Sequence, residues 1–188
     1  MKMIKLGLLA AALSVSGYAL ADNDTAINLM ALKTSNTSIE ALTPTVRSAH
    51  QGVVTEIELD DYKDMHVIYE FKLVDLEGDI KHKLSYSVQD QSLLREKSES
   101  LSTFGFSDLD KEDRMAIERV LQADFDILQA VPALEKKYNS TLIEAELEEK
   151  NGLVFYEVKL ASAEQGKQEL LINVENGEEI PVLKRNKK

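Results

Sequence analysis

Cysteine is absent from this chain of 188 residues. Without thiols there is no disulfide framework, no thiolate metal site, no cysteine nucleophile and no N-terminal cysteine for lipid attachment. Tryptophan is absent as well, and there are only 8 Gly and 3 Pro. Hydrophobic residues make up 44% of the chain, which is enough to build a packed core and excludes wholesale disorder.

Basic residues are scarce: 22 Lys and Arg face 33 Asp and Glu, for a net charge of −11. Nucleic-acid binding requires clustered Lys and Arg for phosphate contacts, so this class of function is excluded. The length allows one domain of ordinary size or two small ones, which excludes a large multidomain enzyme.

Only the N-terminus carries a continuous apolar run. Lys2 and Lys5 precede the run at residues 6–15, which Ala19-Leu20-Ala21 follows. This pattern predicts a signal peptide over residues 1–21, too short to span a bilayer of about 30 Å. Cleavage near Ala21 leaves 167 residues with a net charge of −13, because both lysines leave. We expect a periplasmic or secreted protein without a stable membrane anchor.

A tandem repeat is predicted from a constant offset of 88 residues. The offset aligns Pro44 with Pro132, and the Glu-x-Glu-Leu sequence at 56–59 with the same sequence at 144–147. After the loss of one residue, Tyr-Glu-Phe-Lys-Leu at 69–73 aligns with Tyr-Glu-Val-Lys-Leu at 156–160. A match that keeps its phase over most of the chain indicates duplication of a small unit.

Each unit begins with two predicted helices. Apolar residues at helical spacing place them at 25–33 and 38–50, and at 111–122 and 126–138. Ser38, Asp110 and Asp126 suit N-cap positions. Because proline breaks a helix centre, Pro44 and Pro132 indicate that the second helices start later or are kinked.

Strands with a period of two follow the helices, at about 53–60, 67–73 and 84–88 in the first unit. In the second unit Asn151-Gly152 predicts a two-residue hairpin turn, because a type I′ turn needs positive φ at both positions. The two residue numbers of every predicted cross-strand pair then add up to 303, so that Leu147 faces Tyr156 and Ile143 faces Leu160. A last short edge strand is predicted at 180–183.

The predicted fold class is α+β, with two tandem repeats. Each repeat has two helices packed on one face of a three- to four-stranded antiparallel sheet. The predicted domains are repeat 1 at 22–97, a Ser-rich linker at 98–107 and repeat 2 at 108–188. Without disulfides, each unit is expected to depend on its own core.

Several motifs carry a family resemblance: Gly52-Val53, Glu56-x-Glu58-Leu59, Tyr69-Glu70-Phe71, Tyr156-Glu157-Val158 and Val174-Glu175-Asn176-Gly177-Glu178. They resemble the PepSY domain, a small module of bacterial secreted and membrane proteins. The second unit matches better, since the first has Gln91 where the final glycine belongs. The resemblance implies an α+β fold. It also implies a role towards proteases, because PepSY modules occur in propeptides of secreted metallopeptidases and an inhibitory or regulatory role has been proposed for them.

No catalytic constellation is visible in the sequence. His50, His66 and His82 lack the spacing of a helical metal site, and the second unit repeats none of them, so surface positions are expected. No phosphate-binding loop and no nucleophile elbow is found. We predict a protein that is not an enzyme, with no catalytic residue, no metal ligand and no cofactor.

The most suggestive feature is a repeated acidic strand face, formed by Glu56, Glu58 and Asp60 and again by Glu144, Glu146 and Glu148. Alternate strand residues share a face, with carboxylates about 7 Å apart. Three interpretations stay open: a solvated face partly neutralised by Lys72 and Lys159, a contact for a basic protein partner, or a Ca²⁺ site. A flat row does not converge as Ca²⁺ requires.

The functional hypothesis is a non-catalytic periplasmic binding protein, a protease inhibitor or regulator, whose contact surface comprises Glu56, Glu58, Ile68, Glu144, Glu146 and Phe155. Ile68 and Phe155 lie at matching positions on otherwise polar faces, and are either presented to the partner or covered by a loop or by the other repeat. The alternative is a small-ligand or cation-binding protein. A basic tail at 184–188 either folds back or frays. The partner and the oligomeric state are not specified by the sequence.

Overall fold

The computed structural model describes residues 23–35, 37–63, 66–103 and 106–181, so the predicted signal peptide lies outside the described residues. The helices are α1 (Asn23–Thr34), α2 (Ile39–Ala49), α3 (Lys111–Ala123) and α4 (Ile127–Tyr138). The strands are β1 (Val53–Tyr62), β2 (His66–Asp75), β3 (Ile80–Ser87), β4 (Leu93–Ser100), β5 (Ser102–Thr103), β6 (Phe106–Ser107), β7 (Thr141–Lys150), β8 (Leu153–Ser162) and β9 (Gly166–Asn173). None of the described helices is both long and apolar enough to cross a membrane.

The helix starts follow from their caps. Ser38 accepts a hydrogen bond from the Ala41 N–H at the start of α2, and Asp126 accepts one from the Leu128 N–H at the start of α4. Asp110 caps α3 in the same way. Both second helices continue through their proline, so the expectation of a later start is wrong.

Seven strands form one antiparallel sheet in the order β4-β3-β2-β1-β7-β8-β9, and β5 and β6 form a separate ladder. Both halves therefore have the same order of elements, two helices and then three long strands, and they meet where β1 pairs with β7. The α+β class and the antiparallel sheet agree with the sequence prediction.

The junction between β1 and β7 has local twofold symmetry. Ile57 faces Ala145, and these two residues are also related by the offset of 88. An approximate twofold axis therefore passes between them, normal to the sheet, and brings equivalent positions of the two halves together on either side.

Two buried tyrosines connect the halves reciprocally. The Tyr69 hydroxyl donates to the Leu142 carbonyl at 3.0 Å, and the Tyr156 hydroxyl donates to the Val54 carbonyl at 2.5 Å. Val54 and Leu142 each precede a register shift in their strand. A β-bulge interrupts the ladder, and here a hydroxyl from the opposite half bonds the carbonyl beside each bulge.

One hydrophobic core serves both halves. It includes Leu32 and Val46 from the first-half helices, Ile117 and Val131 from the second, and Leu101 from the connection. The expectation of a separate core for each unit is wrong, because β1–β7 pairing lets all four helices pack over a single sheet, with α2 in contact with α4.

The predicted hairpin is confirmed up to the bulge. Asn151 and Gly152 both have positive φ, Lys150 pairs with Leu153, and the predicted register holds as far as Glu144. Beyond it the bulge moves the register by one, so that Leu142 replaces Ile143 opposite Leu160. The predicted last strand at 180–183 is described only as far as residue 181. Next to β9 the structure shows an isolated bridge at Glu179 and a hydrogen bond from the Ile180 N–H to the Leu171 carbonyl.

The segment predicted as a linker is structured where it is described. Residues 98–100 belong to β4, Leu101 is 1% exposed, and 102–103 pair with 106–107. Strand β4 was not predicted because it lies at the sheet edge with nearly every side chain exposed, and therefore lacks apolar alternation.

Replacing Tyr156 with Phe should lower the free energy of unfolding by about 1–3 kcal/mol, because the buried Val54 carbonyl loses its donor. Urea unfolding followed by circular dichroism measures the change. The control is Tyr86→Phe, because Tyr86 is also a buried residue but its hydroxyl forms no hydrogen bond with a described residue. Equal losses in both variants would contradict the assigned role.

Gln91 has φ of 62°, close to the 68° of Gly177 at the corresponding turn of the second half. This left-handed region is strained for a residue with a side chain, so Gln91→Gly relieves strain. Glycine also loses more conformational entropy on folding, which offsets part of this gain. The net effect should raise the free energy of unfolding by about 0.5 kcal/mol. Gln89→Gly, at a residue of the same turn without positive φ, should instead lower it. Chemical denaturation of both variants tests the contrast, and a loss at both positions would refute the strain argument.

Candidate functional site

The open face of the sheet, opposite the helices, carries a cluster of glutamates at the twofold axis. We call it the acidic cluster; its members are Glu56, Glu58, Glu70, Glu144, Glu146 and Glu157. Strand pairing puts Glu56 opposite Glu146 and Glu58 opposite Glu144 across β1–β7. Glu58 also faces Glu70 on β2, and Glu146 faces Glu157 on β8. The repeated Glu-x-Glu strands are thus joined into one patch.

Three lysines neutralise part of the acidic cluster. Lys72 lies 2.5 Å from Glu56, and its counterpart Lys159 lies 2.8 Å from Glu144 and 3.2 Å from Glu157. Lys83 lies 2.5 Å from the buried Glu70. The predicted neutralisation by Lys72 and Lys159 is therefore found, and six carboxylates share three cations.

Glu58 and Glu146 form no ion pair with any described residue, and they are equivalent under the offset of 88. Burial raises the pKa of the Glu58 carboxyl above its ordinary value, and neighbouring carboxylates raise it further, Asp60 and Glu56 most. Burial also raises the pKa of Glu146, followed by the charges of Glu148 and Glu56. The centre of the cluster therefore holds negative charge that the fold does not neutralise.

Ile68 and Phe155 lie outside this centre. Ile68 pairs with Asp60 on β1 and Phe155 with Glu148 on β7, which places them at opposite ends of the cluster. Their exposures are 2% and 8%, and neither belongs to the main core. This burial agrees with the alternative in which both side chains are covered by another part of the chain, so they do not form an exposed apolar contact surface.

Basic residues occupy the open face beside the acidic cluster, on the wing formed by β3 and β4. Lys83 pairs with Lys97, Ser85 with Arg95, and Lys81 with Glu99. The corresponding wing of the second half has Glu169 opposite Lys159 and Leu171 opposite Glu157. The open face is therefore acidic at its centre, and it has more basic residues on β3 and β4 than on β9, where Lys167 faces Ala161.

Two of the three histidines, His50 and His82, do not occupy the simple surface positions expected for them. The rings of His50 and His82 stack with centroids 3.7 Å apart, His50 lies 2.8 Å from Glu96, and His82 lies 2.8 Å from Ser98. Burial lowers the pKa of His82, and the nearby His50 lowers it further. In the described ranges no group of three His, Asp or Glu side chains is placed to hold a metal ion.

Sequence reasoning found four of the six glutamates. Glu70 and Glu157 were missed, although each sits in the repeated Tyr-Glu motif, because their neighbours depend on strand pairing rather than on spacing. The meeting of the two acidic strands was missed for the same reason.

Residues 127–182 match the PepSY family, described as the peptidase propeptide and YPEB domain. The match runs from α4 past β9 and covers less than a third of the chain. No curated protein matches the chain in sequence.

A candidate lipoprotein from Clostridium difficile 630 is similar in structure, with 16% sequence identity and a TM-score of 0.40. The alignment covers 75% of this chain and 88% of that protein.

The raised pKa values predict how stability depends on pH. A carboxyl with a raised pKa in the folded state binds its proton more tightly than in the unfolded state, so its charged form destabilises the fold at neutral pH. Glu58→Gln/Glu146→Gln should therefore raise the free energy of unfolding at pH 7 by about 1 kcal/mol. The gain should shrink as the pH falls below the raised values towards 4.5.

Urea unfolding at pH 7.5 and pH 4 measures this difference. Glu77→Gln, in the exposed β2–β3 turn, is the matched control and should change little at either pH. A gain of the double variant that is equal at both pH values would rule out electrostatic strain in the cluster.

Proposed function

We propose that this chain is a non-catalytic, extracytoplasmic binding protein whose acidic cluster contacts a basic surface of a protein partner. The observation that carries the proposal is the pairing of Glu58 with Glu144 and of Glu56 with Glu146. Like charges directly opposite each other weaken a sheet, whereas a cationic partner would convert the same arrangement into favourable contacts.

The electrostatics favour association with a cationic surface. Glu58 and Glu146 form no ion pair with a described residue, and the chain as a whole carries −11. Opposite potentials on two surfaces steer their encounter and exclude partners of the wrong charge. The basic wing on β3 and β4 would orient the partner, because it repels the surface that the cluster attracts.

A secreted peptidase is the partner class that the family match supports. Residues 127–182 match a family whose description names peptidase propeptides, and propeptides act by contact rather than by catalysis. We extend this assignment to the first half, because the offset of 88 and the common order of elements support a tandem duplication. The signal-peptide pattern at residues 1–21 supports an extracytoplasmic location.

The alternative of a cation-binding protein has less support. Six carboxylates share the cluster, but in the described part of the chain no three of them converge in the way a metal ion requires. Binding of a small ligand has one separate observation in its favour, a groove beside α1 that shares no residue with the acidic cluster.

The test is the effect of the purified protein on casein hydrolysis by peptidases secreted by the host organism. We expect hydrolysis to fall as the protein is added. Glu58→Gln/Glu146→Gln should require about ten times more protein for the same effect, equivalent to about 1.4 kcal/mol of binding free energy. Raising the salt concentration should weaken the wild type more than the variant, because salt screens exposed charges.

The matched control removes two exposed glutamates outside the cluster, Glu77→Gln/Glu118→Gln, and should act like the wild type. Unchanged casein hydrolysis at every concentration would exclude the peptidase as partner. Equal potency of the two double variants would exclude the acidic cluster as the contact.

A further inference from the structure

The two halves differ at one pair of positions where their symmetry would place the same ion pair. In the crossing of α2 and α4, Arg47 of α2 lies 2.6 Å from Asp126, the N-cap of α4. Under the offset of 88, Arg47 corresponds to Glu135 of α4, and Asp126 corresponds to Ser38, the N-cap of α2. A carboxylate and a hydroxyl therefore replace the cation and the anion.

On the Arg47 side all charges are matched. The Arg47 guanidinium donates from Nη1 to the Gly52 carbonyl at 2.8 Å and from Nη2 to Asp126 Oδ1 at 2.6 Å. This joins the end of α2 to the start of α4 and pairs the charge of Arg47 with that of Asp126.

On the opposite side Glu135 has no cation. Its Oε1 accepts one hydrogen bond from the Leu142 N–H at 2.8 Å, and no described Lys, Arg or His forms an ion pair with it. Burial raises the pKa of this carboxyl, the Leu142 hydrogen bond opposes the shift, and the charge of Glu40 adds to it. A half-buried carboxylate without a cation is energetically unfavourable in a finished core.

Glu135 opens into a groove of about 990 Å³ between α1 and the end of α4, closed on its far side by the β8–β9 turn. Ala26, Leu29 and Met30 of α1 form an apolar wall, and Met30 is 70% exposed. Lys33 also lines the groove and forms no ion pair with a described residue. The volume lies at the upper end of the range of small-molecule sites, which are mostly apolar with a few polar groups.

We propose that this groove binds a peptide segment in which an arginine or lysine is flanked by apolar residues. The cationic group meets Glu135, and the apolar neighbours pack against Leu29 and Met30. The site is independent of the acidic cluster and of the function proposed for it.

Isothermal titration calorimetry with acetyl-Leu-Arg-Leu-amide tests the proposal, with acetyl-Leu-Gln-Leu-amide as the neutral probe. The arginine peptide should bind the wild type at least about tenfold more tightly than the glutamine peptide. Glu135→Gln retains an acceptor for the Leu142 N–H, so it should fold, and it should lose this preference. Glu77→Gln, which removes a charge from an exposed turn, should keep it.

Nuclear magnetic resonance gives a second readout that locates the binding. The amide of Leu142 donates to Glu135, so its resonance should move when the wild type is titrated with the arginine peptide. Equal affinity for the two peptides, or a preference that survives in Glu135→Gln, would overturn the proposal. Binding that appears only after residues 182–188 are deleted would also overturn it, because the groove would then belong to the basic tail of the chain.

Discussion

The antiparallel pairing of β1 with β7 is the interaction on which the rest of the structure depends. It joins two short sheets into one of seven strands and aligns each buried tyrosine with a bulge carbonyl of the opposite half. A buried carbonyl without a donor costs about 1–3 kcal/mol, and an isolated half would leave both its tyrosine hydroxyl and its bulge carbonyl unpaired. The halves therefore complete each other, and one core replaces two small ones that would each bury less of their apolar surface.

The same pairing produces the electrostatic character of the open face. Because the axis passes between Ile57 and Ala145, position 56 faces the copy of position 58, and position 58 faces the copy of position 56. Glutamate at 56 and 58 thus creates like-charge pairs that no local choice of register can avoid. Lys72 pairs with Glu56 and Lys159 with Glu144, whereas Glu58 and Glu146 form no ion pair with a described residue. Stability of the core and repulsion on the open face are consequences of one contact.

Local features were predictable from the sequence, and contacts between distant segments were not. The caps at Ser38 and Asp126 and the Asn151-Gly152 turn depend on a few neighbouring residues, and all three were predicted correctly. The bulge shifted the hairpin register at Leu142 because its carbonyl bonds a tyrosine of the other half, which spacing does not reveal. Four glutamates of the candidate site were predicted from the period-two pattern of their strands. That these glutamates meet at the axis, and that Phe155 is buried, depends on tertiary contacts that the pattern does not reveal.

The approximate symmetry also makes departures from it informative. Where both halves keep a residue type, as with Tyr69 and Tyr156, a shared structural role explains it. Where they differ, the scaffold does not dictate the choice, since the other half folds with another residue. Gln91 in place of a glycine has a strained backbone, and no contact of its side chain with a described residue explains the choice. Glu135 in place of Arg47 is different, because it places at the edge of a groove a carboxylate that forms no ion pair with a described residue. A ligand there would have to supply the matching positive charge.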